Sequence, residues 1–488
     1  MSESVKTSAA NLPATTATGL AQSGPPQSVP AQAPSSLSPS ERLLLLEAAM
    51  RGTRYRASMA ERRVAPLAED IARLAALGGP LPDEGDSPAR VLDDLDTFGS
   101  PATVAVTSGR YFGFVIGGSL PVTVAANWLA TAWDQNAGFV ASSPVSAELE
   151  RIALAWLLAA LHLPHDAAGA FVTGATMANF TALAAARHAV LKRVGWDVER
   201  NGLRGAPELT VVTGEEVHPS VLRSLALLGI GRDRCVRVAA DDEGRLRVDA
   251  LPRVAGPVVV CAQAGNVNTG AIDPLEDIAR WARANGAWMH VDGAFGLWAA
   301  AAPQRRHLLA GHARADSWAI DAHKWLNVPY DCGIAVVRRP QDLRAAVALN
   351  APYLPDDGLR EPMHYTPELS RRARGVEVWA ALRTLGRRGI AEIVERCCRH
   401  AEHFARHLAA AGAEVLNRVS LNQVLVSFGS PERTLRVIDA IQRDGTCWCG
   451  STVWQGRTAM RISVSSWATT DADVDKSIVA IRRCMREA

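Results

Sequence analysis

The chain has four lysines, Lys6, Lys192, Lys324 and Lys476, and otherwise uses arginine as its base. Lys324 lies in Asp321-Ala322-His323-Lys324-Trp325, where a strand-like apolar run meets Trp325-Leu326. Upstream, in His290-Val291-Asp292-Gly293-Ala294, another such run ends on an acid. A primary amine can form a Schiff base with an aldehyde, whereas a guanidinium at neutral pH cannot. A carboxylate can hold a pyridine nitrogen protonated, so that the ring accepts electrons. An amine at 324 and an acid at 292 are the two charges that pyridoxal phosphate (PLP) chemistry requires. A lysine inside a core is costly unless it is used or paired.

The elements that position these residues are legible as a pattern. Apolar runs at 209–213, 258–262, 288–292, 317–320 and 333–337 read as buried strands, with helical segments such as 274–285 between some of them. Strands that are apolar throughout and separated by helices predict a largely parallel sheet covered on both faces. Ligands of such sheets sit at the carboxyl ends of the strands. Phe171-Val172-Thr173-Gly174-Ala175-Thr176 passes through a glycine into a helix. The free N–H groups and dipole of that helix start suit a phosphate, and Thr176 adds a hydroxyl. Gly293-Ala294 leaves room for a flat ring beside Asp292. Val217-His218-Pro219-Ser220 follows a strand and places His218 to stack on the ring face opposite Ala294. His323 either binds the phosphate or orients its loop. His290 points away from Val291 and reads as a core or supporting histidine.

With 488 residues the chain can bury a large core. A net charge of +2 and no long basic run give no support to nucleic-acid or membrane partners. The eight cysteines form no C-x-x-C pair and read as free thiols in a reducing cytoplasm. Cys447-Trp448-Cys449 reads as core thiols, since two thiols alone make no zinc site; no metal is expected. No signal segment is visible, and the most apolar stretch, 122–133, is broken by Asn127 and too short to span a bilayer. Residues 1–38, rich in Ala, Ser and Pro, read as a disordered tail. Residues 39–113 read as a helical segment, opened by the cap Ser38-Pro39-Ser40-Glu41 and continued through 43–46 and 64–77. Residues 114–350 form the large domain. Residues 351–488 form a loop and a smaller α/β domain, with helices around 376–379, 390–410 and 471–486 and strands at 423–428 and 459–464.

Taken in order, several segments carry a family resemblance. They are Ser143-Pro144 with Glu148-Leu149-Glu150, the 173–179 loop, Glu216-Val217-His218, Thr269-Gly270-Ala271-Ile272-Asp273-Pro274, the Asp292 and Lys324 motifs, and Ser370-Arg371-Arg372. From about Arg110 onward the chain resembles the group II PLP-dependent decarboxylases, which include the aromatic-amino-acid, glutamate and tyrosine decarboxylases. The resemblance implies fold type I (aspartate-aminotransferase-like): an α/β protein with a large, mostly parallel sheet domain, a smaller C-terminal domain and N-terminal helices. It implies a homodimer that converts an L-amino acid to its amine and CO2. It assigns Lys324 as the Schiff-base lysine, Asp292 as the pyridinium partner, His218 as the stacking base, and Gly174, Ala175, Thr176 and His323 as phosphate contacts.

There are departures from the family pattern. Asn266-Val267 stands where many members have Thr-Thr, so Asn266 or Asn268 would replace the hydroxyl near the cofactor. No tyrosine aligns with the family's proton donor; of Tyr353 and Tyr365, Tyr365 is the candidate. Arg372 is the candidate anchor of the catalytic loop, and Arg461 is set aside as a carboxylate site. Tyr111, Phe112 and Trp133 would line an aromatic pocket or pack in the core. The same residues would also serve transamination, aldol cleavage or decarboxylation with oxidation to an aldehyde. A degenerate binding homologue conflicts with the presence of both Lys324 and Asp292, and a nicotinamide site lacks G-x-G-x-x-G.

Overall fold

The computed structural model describes residues 37–348 and 360–488. Nearly all of the expected disordered tail, and Tyr353, lie outside the described residues.

Seven strands build the larger sheet: β1 (Ala168–Val172), β2 (Thr210–Gly214), β3 (Val236–Val238), β4 (Val258–Gln263), β5 (Trp288–Asp292), β6 (Ser317–Asp321) and β7 (Gly333–Val337). Their order is β1-β7-β6-β5-β4-β2-β3. β2 to β6 pair in parallel, and β7 runs antiparallel to both neighbours, β1 and β6. β1 and β4 to β7 are buried along their whole length, because helices cover both faces. β3 was not expected; two of its three residues are exposed, so it carries little apolar signal.

Alternation along β5 divides its side chains between the two faces. Trp288 packs among Ala182, Leu183 and Ala186 of the helix Ala175–Lys192. Met289 and Val291 join the opposite core with Leu275 and Ile278 of the helix Leu275–Ala284. His290 and Asp292 therefore share the Trp288 face, under the helix whose first turn was assigned to a phosphate.

At the N-terminal side, Ser38 and Glu41 form a reciprocal capping box on the helix Pro39–Ala57. Residues 64–67 are not helical as expected. Val64 is buried; its N–H donates to the Gly445 carbonyl (2.8 Å) and its own carbonyl accepts from Ala105 N–H (2.9 Å). Pro66 disfavours helix at the residue before it, and these tertiary bonds override the apolar pattern. Helix resumes at Ala68–Arg73 and a 3-10 turn stops at Gly78.

A second sheet, antiparallel throughout, has the order β10 (Gly450–Trp454), β11 (Arg457–Ser463), β9 (Gln423–Ser427), β8 (Glu414–Val415). The helices Gly375–Ala410 and Pro431–Asp444 back it. The former breaks at Gly386 (φ 57°), whose non-helical backbone divides it into the two helices read from the sequence. All eight cysteines are free, and all but Cys235 are buried.

Candidate active site

Four parallel strands and the loops after them converge on one edge of the larger sheet. Asp292 ends β5 and Asp321 ends the adjacent β6. The Asp321 N–H donates to the Ala294 carbonyl (2.9 Å), which ties the acid segment to the lysine segment. Lys324 Nζ lies 3.0 Å from Asp321 Oδ2, with the lysine side chain 17% exposed and the acid 2%. The contact positions the amine at the end of β6. The sequence motif contained Asp321 without a role for it, although the contact spans only three residues.

Asp292 is 4% exposed. Its Oδ2 accepts from Asn179 Nδ2 (3.1 Å) and lies 3.4 Å from Ser220 Oγ, and its Oδ1 accepts from the Ala294 N–H (3.2 Å). His218 caps the helix Pro219–Leu227, its Nδ1 accepting from the Ser220 N–H (3.2 Å) and meeting Ser220 Oγ at 2.7 Å. Its ring hydrogen therefore sits on Nε2. The His218 N–H donates to Gln263 Oε1 at the end of β4 (3.2 Å). Burial lowers the His218 pKa; the charges acting on it are Asp292, Lys324, Asp321 and Arg461. One histidine thus feels both the acid and the amine.

The helix Ala175–Lys192 starts at Gly174, with no side chain capping its free N–H groups. A Cβ on residue 174 would sit 3.3 Å from His323 Cε1 and 3.6 Å from Asp321 Oδ1, so glycine keeps a cradle open there. His323 is buried; its Nδ1 accepts from the Cys332 N–H (3.2 Å) and its ring stacks on Tyr330 (4.3 Å between centroids). Burial lowers its pKa against the pull of Asp321. Uncapped amides, an amine and a buried carboxylate surrounded by donors are the donor set that a phosphorylated pyridine aldehyde needs, and the residues present fit PLP.

Some expected residues sit elsewhere. Tyr365 lies under the Arg360 guanidinium (4.4 Å), and Arg360 donates to the Gly169 carbonyl in β1. Tyr365 packs against the core that contains Ala168 and Leu343, so the structure does not bring it beside Lys324. Asn268 is buried, with its Oδ1 accepting from Thr452 Oγ1 (2.9 Å); Asn266 Oδ1 instead closes its own turn on the N–H groups of residues 268 and 269. Phe112 packs edge-on against Phe404, and Trp133 is 40% exposed; neither joins Tyr111, which stacks on Trp448 (5.3 Å). Arg372 is the more exposed of its pair. The buried anchor is Arg371, paired with Glu150 from the helix Pro144–Ala160, and Arg374 is buried beside Asp331. Sequence reasoning also missed Asn179, Ser220 and Gln263; Asn179 stood in the matched 173–179 loop, but nothing local shows that it reaches Asp292.

The model of the pyridoxal-dependent decarboxylase conserved domain matches residues 74–430. The chain is 30% identical to an aromatic-L-amino-acid decarboxylase of Bacillus atrophaeus, over 68% of this chain and 69% of that protein. It is 31% identical to an L-2,4-diaminobutyrate decarboxylase of Rhizobium meliloti (strain 1021), over 84% of each. A crystal structure of Oryza sativa TDC with PLP and tryptamine superposes with a TM-score of 0.85 at 22% identity, covering 93% of this chain and 99% of that one. The chain therefore belongs to the pyridoxal-dependent decarboxylase family and is, on the type I fold, a PLP-dependent amino acid decarboxylase, a carboxy-lyase.

Proposed function

We propose that Lys324 carries the cofactor aldehyde, that Asp292 faces the pyridine nitrogen, and that the substrate is an aromatic L-amino acid. The observation that carries the residue assignment is the tie between the two strand ends: amine and acid lie on hydrogen-bonded segments and act on the same histidine. When bound, PLP supplies the sink for the electron pair left as the Cα–carboxylate bond breaks. Asp321 holds Lys324 Nζ; Asn179 and the Ala294 amide orient Asp292. Gly174, Ala175, Thr176 and His323 receive the phosphate. Ala294 borders the ring. The proton returned to Cα comes from Lys324 Nζ or His218 Nε2.

The substrate class rests on an aromatic stack near Arg461, one of the charges that act on His218. Tyr111, Trp448 and Phe114 stack in succession, offering flat apolar faces to an aromatic side chain. Arg461, desolvated and near Tyr111, has no carboxylate within ion-pair distance among the described residues. Its Nη1 donates only to the Val267 carbonyl (3.2 Å). An unpaired cation there opposes a second ammonium, which disfavours 2,4-diaminobutyrate. The assembly is a homodimer, supported by the exposed leucines of the helix Pro39–Ala57, and the free thiols suit the cytoplasm.

CO2 release from tryptophan, tyrosine, phenylalanine and 2,4-diaminobutyrate tests the substrate class. The expected result is an aromatic amine and CO2 in equal amounts, without aldehyde. Preference for 2,4-diaminobutyrate overturns the aromatic assignment. Lys324→Ala should abolish turnover and the visible absorbance of bound cofactor, and Asp292→Ala should lower kcat by about 10²-fold or more; wild-type turnover in either variant contradicts the residue roles.

A further inference from the structure

Asp292 is the end of a buried hydrogen-bonded line whose first member is an indole. Trp288 Nε1 donates to Ser317 Oγ (2.9 Å). Ser317 Oγ meets His290 Nδ1 (2.9 Å), His290 Nε2 meets Asn179 Oδ1 (2.8 Å), and Asn179 Nδ2 donates to Asp292 Oδ2 (3.1 Å). Trp288, Ser317, His290 and Asn179 are all fully buried. The strand period places Trp288, His290 and Asp292 on one face of β5. Register pairs His290 with Ser317 on β6, and the helix above contributes Asn179.

The hydrogens along this line have one direction. An indole N–H can only donate, so the Ser317 oxygen accepts it. Ser317 has no other partner than Trp288 and His290 among the described residues, so its hydrogen goes to His290 Nδ1. His290 then carries its own hydrogen on Nε2 and gives it to the Asn179 carbonyl. The Asn179 amide is thereby turned with its NH2 toward Asp292 and Ser220. The reverse orientation would leave the Ser317 hydroxyl without an acceptor and press the Asn179 carbonyl against the carboxylate. Each fault is costly in a site without water.

We propose that Trp288, Ser317, His290 and Asn179 are positioning residues, a one-way relay that presents donors to one side of Asp292 and so keeps that carboxylate a pure acceptor aimed at the pyridine nitrogen. The proposal rests on the assignment of Asp292 as the pyridine partner and extends it three residues beyond direct contact. It also explains why a tryptophan and a serine, with no reach to any substrate, occupy polar positions in the core.

The test is the tautomer of His290 in the full chain labelled with 15N-histidine, measured with and without PLP. The His290 resonances are identified by their loss in His290→Gln. The expected result is hydrogen on Nε2 only, in both states. Trp288→Phe and Ser317→Ala, both distant from the cofactor, should let the ring sample the Nδ1–H form and lower kcat about tenfold, while Lys324 still binds PLP. Asn179→Leu and His290→Leu should lower kcat by about 10²-fold, and His290→Gln, whose amide can donate and accept in the same places, should recover most of that loss. Hydrogen on Nδ1 in the wild type overturns the relay and needs no substituted protein to fold. An unchanged tautomer in Trp288→Phe and Ser317→Ala overturns the origin at the indole. Failure of the underlying assignment gives a different pattern, full turnover in Asp292→Ala with the His290 tautomer as expected.

Discussion

At the scale of single residues, the site separates groups that react from groups that hold them. His290 makes the distinction measurable through pH. Its pKa is pushed down to about 4 by complete burial, with Asp292 opposing the shift. Its other facing groups, Ser317 and Asn179, are neutral. Between the usual histidine pKa of about 6.5 and about 4, the unfolded chain binds a proton at this position and the folded chain does not. Stability from this group is therefore present above pH 6.5 and is lost as pH falls through 4. The wild type should lose ~3 kcal/mol relative to His290→Gln between those values, since other titrating groups cancel in the comparison. Urea denaturation of both proteins at pH 7 and pH 4.5 measures it; parallel losses would remove the buried neutral ring from the account. That Lys324 and Asp292 end neighbouring segments of one sheet was legible from residue type and order alone. The roles of Asn179, Asp321 and Ser220 were not, because asparagine, aspartate and serine at helix starts and strand ends usually serve as caps.

At the scale of elements, the lysine loop is held by close backbone packing as well as by its ion pair. A Cβ on Gly117 would overlap the Lys324 carbonyl, and one on Gly333 would overlap the Gly174 backbone. Gly117→Ala must displace the lysine loop, and Gly333→Ala must part the first residue of β7 from Gly174 at the start of the helix Ala175–Lys192. Each should destabilise by about 1–3 kcal/mol. Equilibrium dialysis should show weakened PLP retention in both, although neither removes a polar group; normal retention would mean that the loops absorb the added methyl. Apolar runs located β2 and β4 to β7 within a residue or so, because buried strands must be apolar on both faces. The same logic failed for β3, which is short and half-exposed, and at Val64, where bonds to Gly445 and Ala105 replaced helix.

At the scale of the whole molecule, the helix Pro39–Ala57 has no fully buried residue, and Leu43, Leu45, Leu46 and Met50 are each about 60% exposed. Such a face is unstable in water unless another surface covers it. A second copy of the chain is the proposed cover. Leu43→Asp with Leu46→Asp should shift sedimentation from dimer to monomer at micromolar concentration, and an unchanged dimer would place the interface elsewhere. None of the described helices is long and apolar enough to cross a membrane. What the sequence determined by itself was the chemistry and the layer plan: an amine, an acid and a helix start at strand ends, because residue type and apolar period are local properties. What only the tertiary structure decided was which polar side chains meet across strands and helices. Arg371 on Glu150 depends on how the helix Pro144–Ala160 meets the segment before the helix Gly375–Ala410, and the line from Trp288 to Asp292 depends on register between β5 and β6 and on the seating of one helix above them. Those relations join residues far apart in the chain, and no local pattern encodes them.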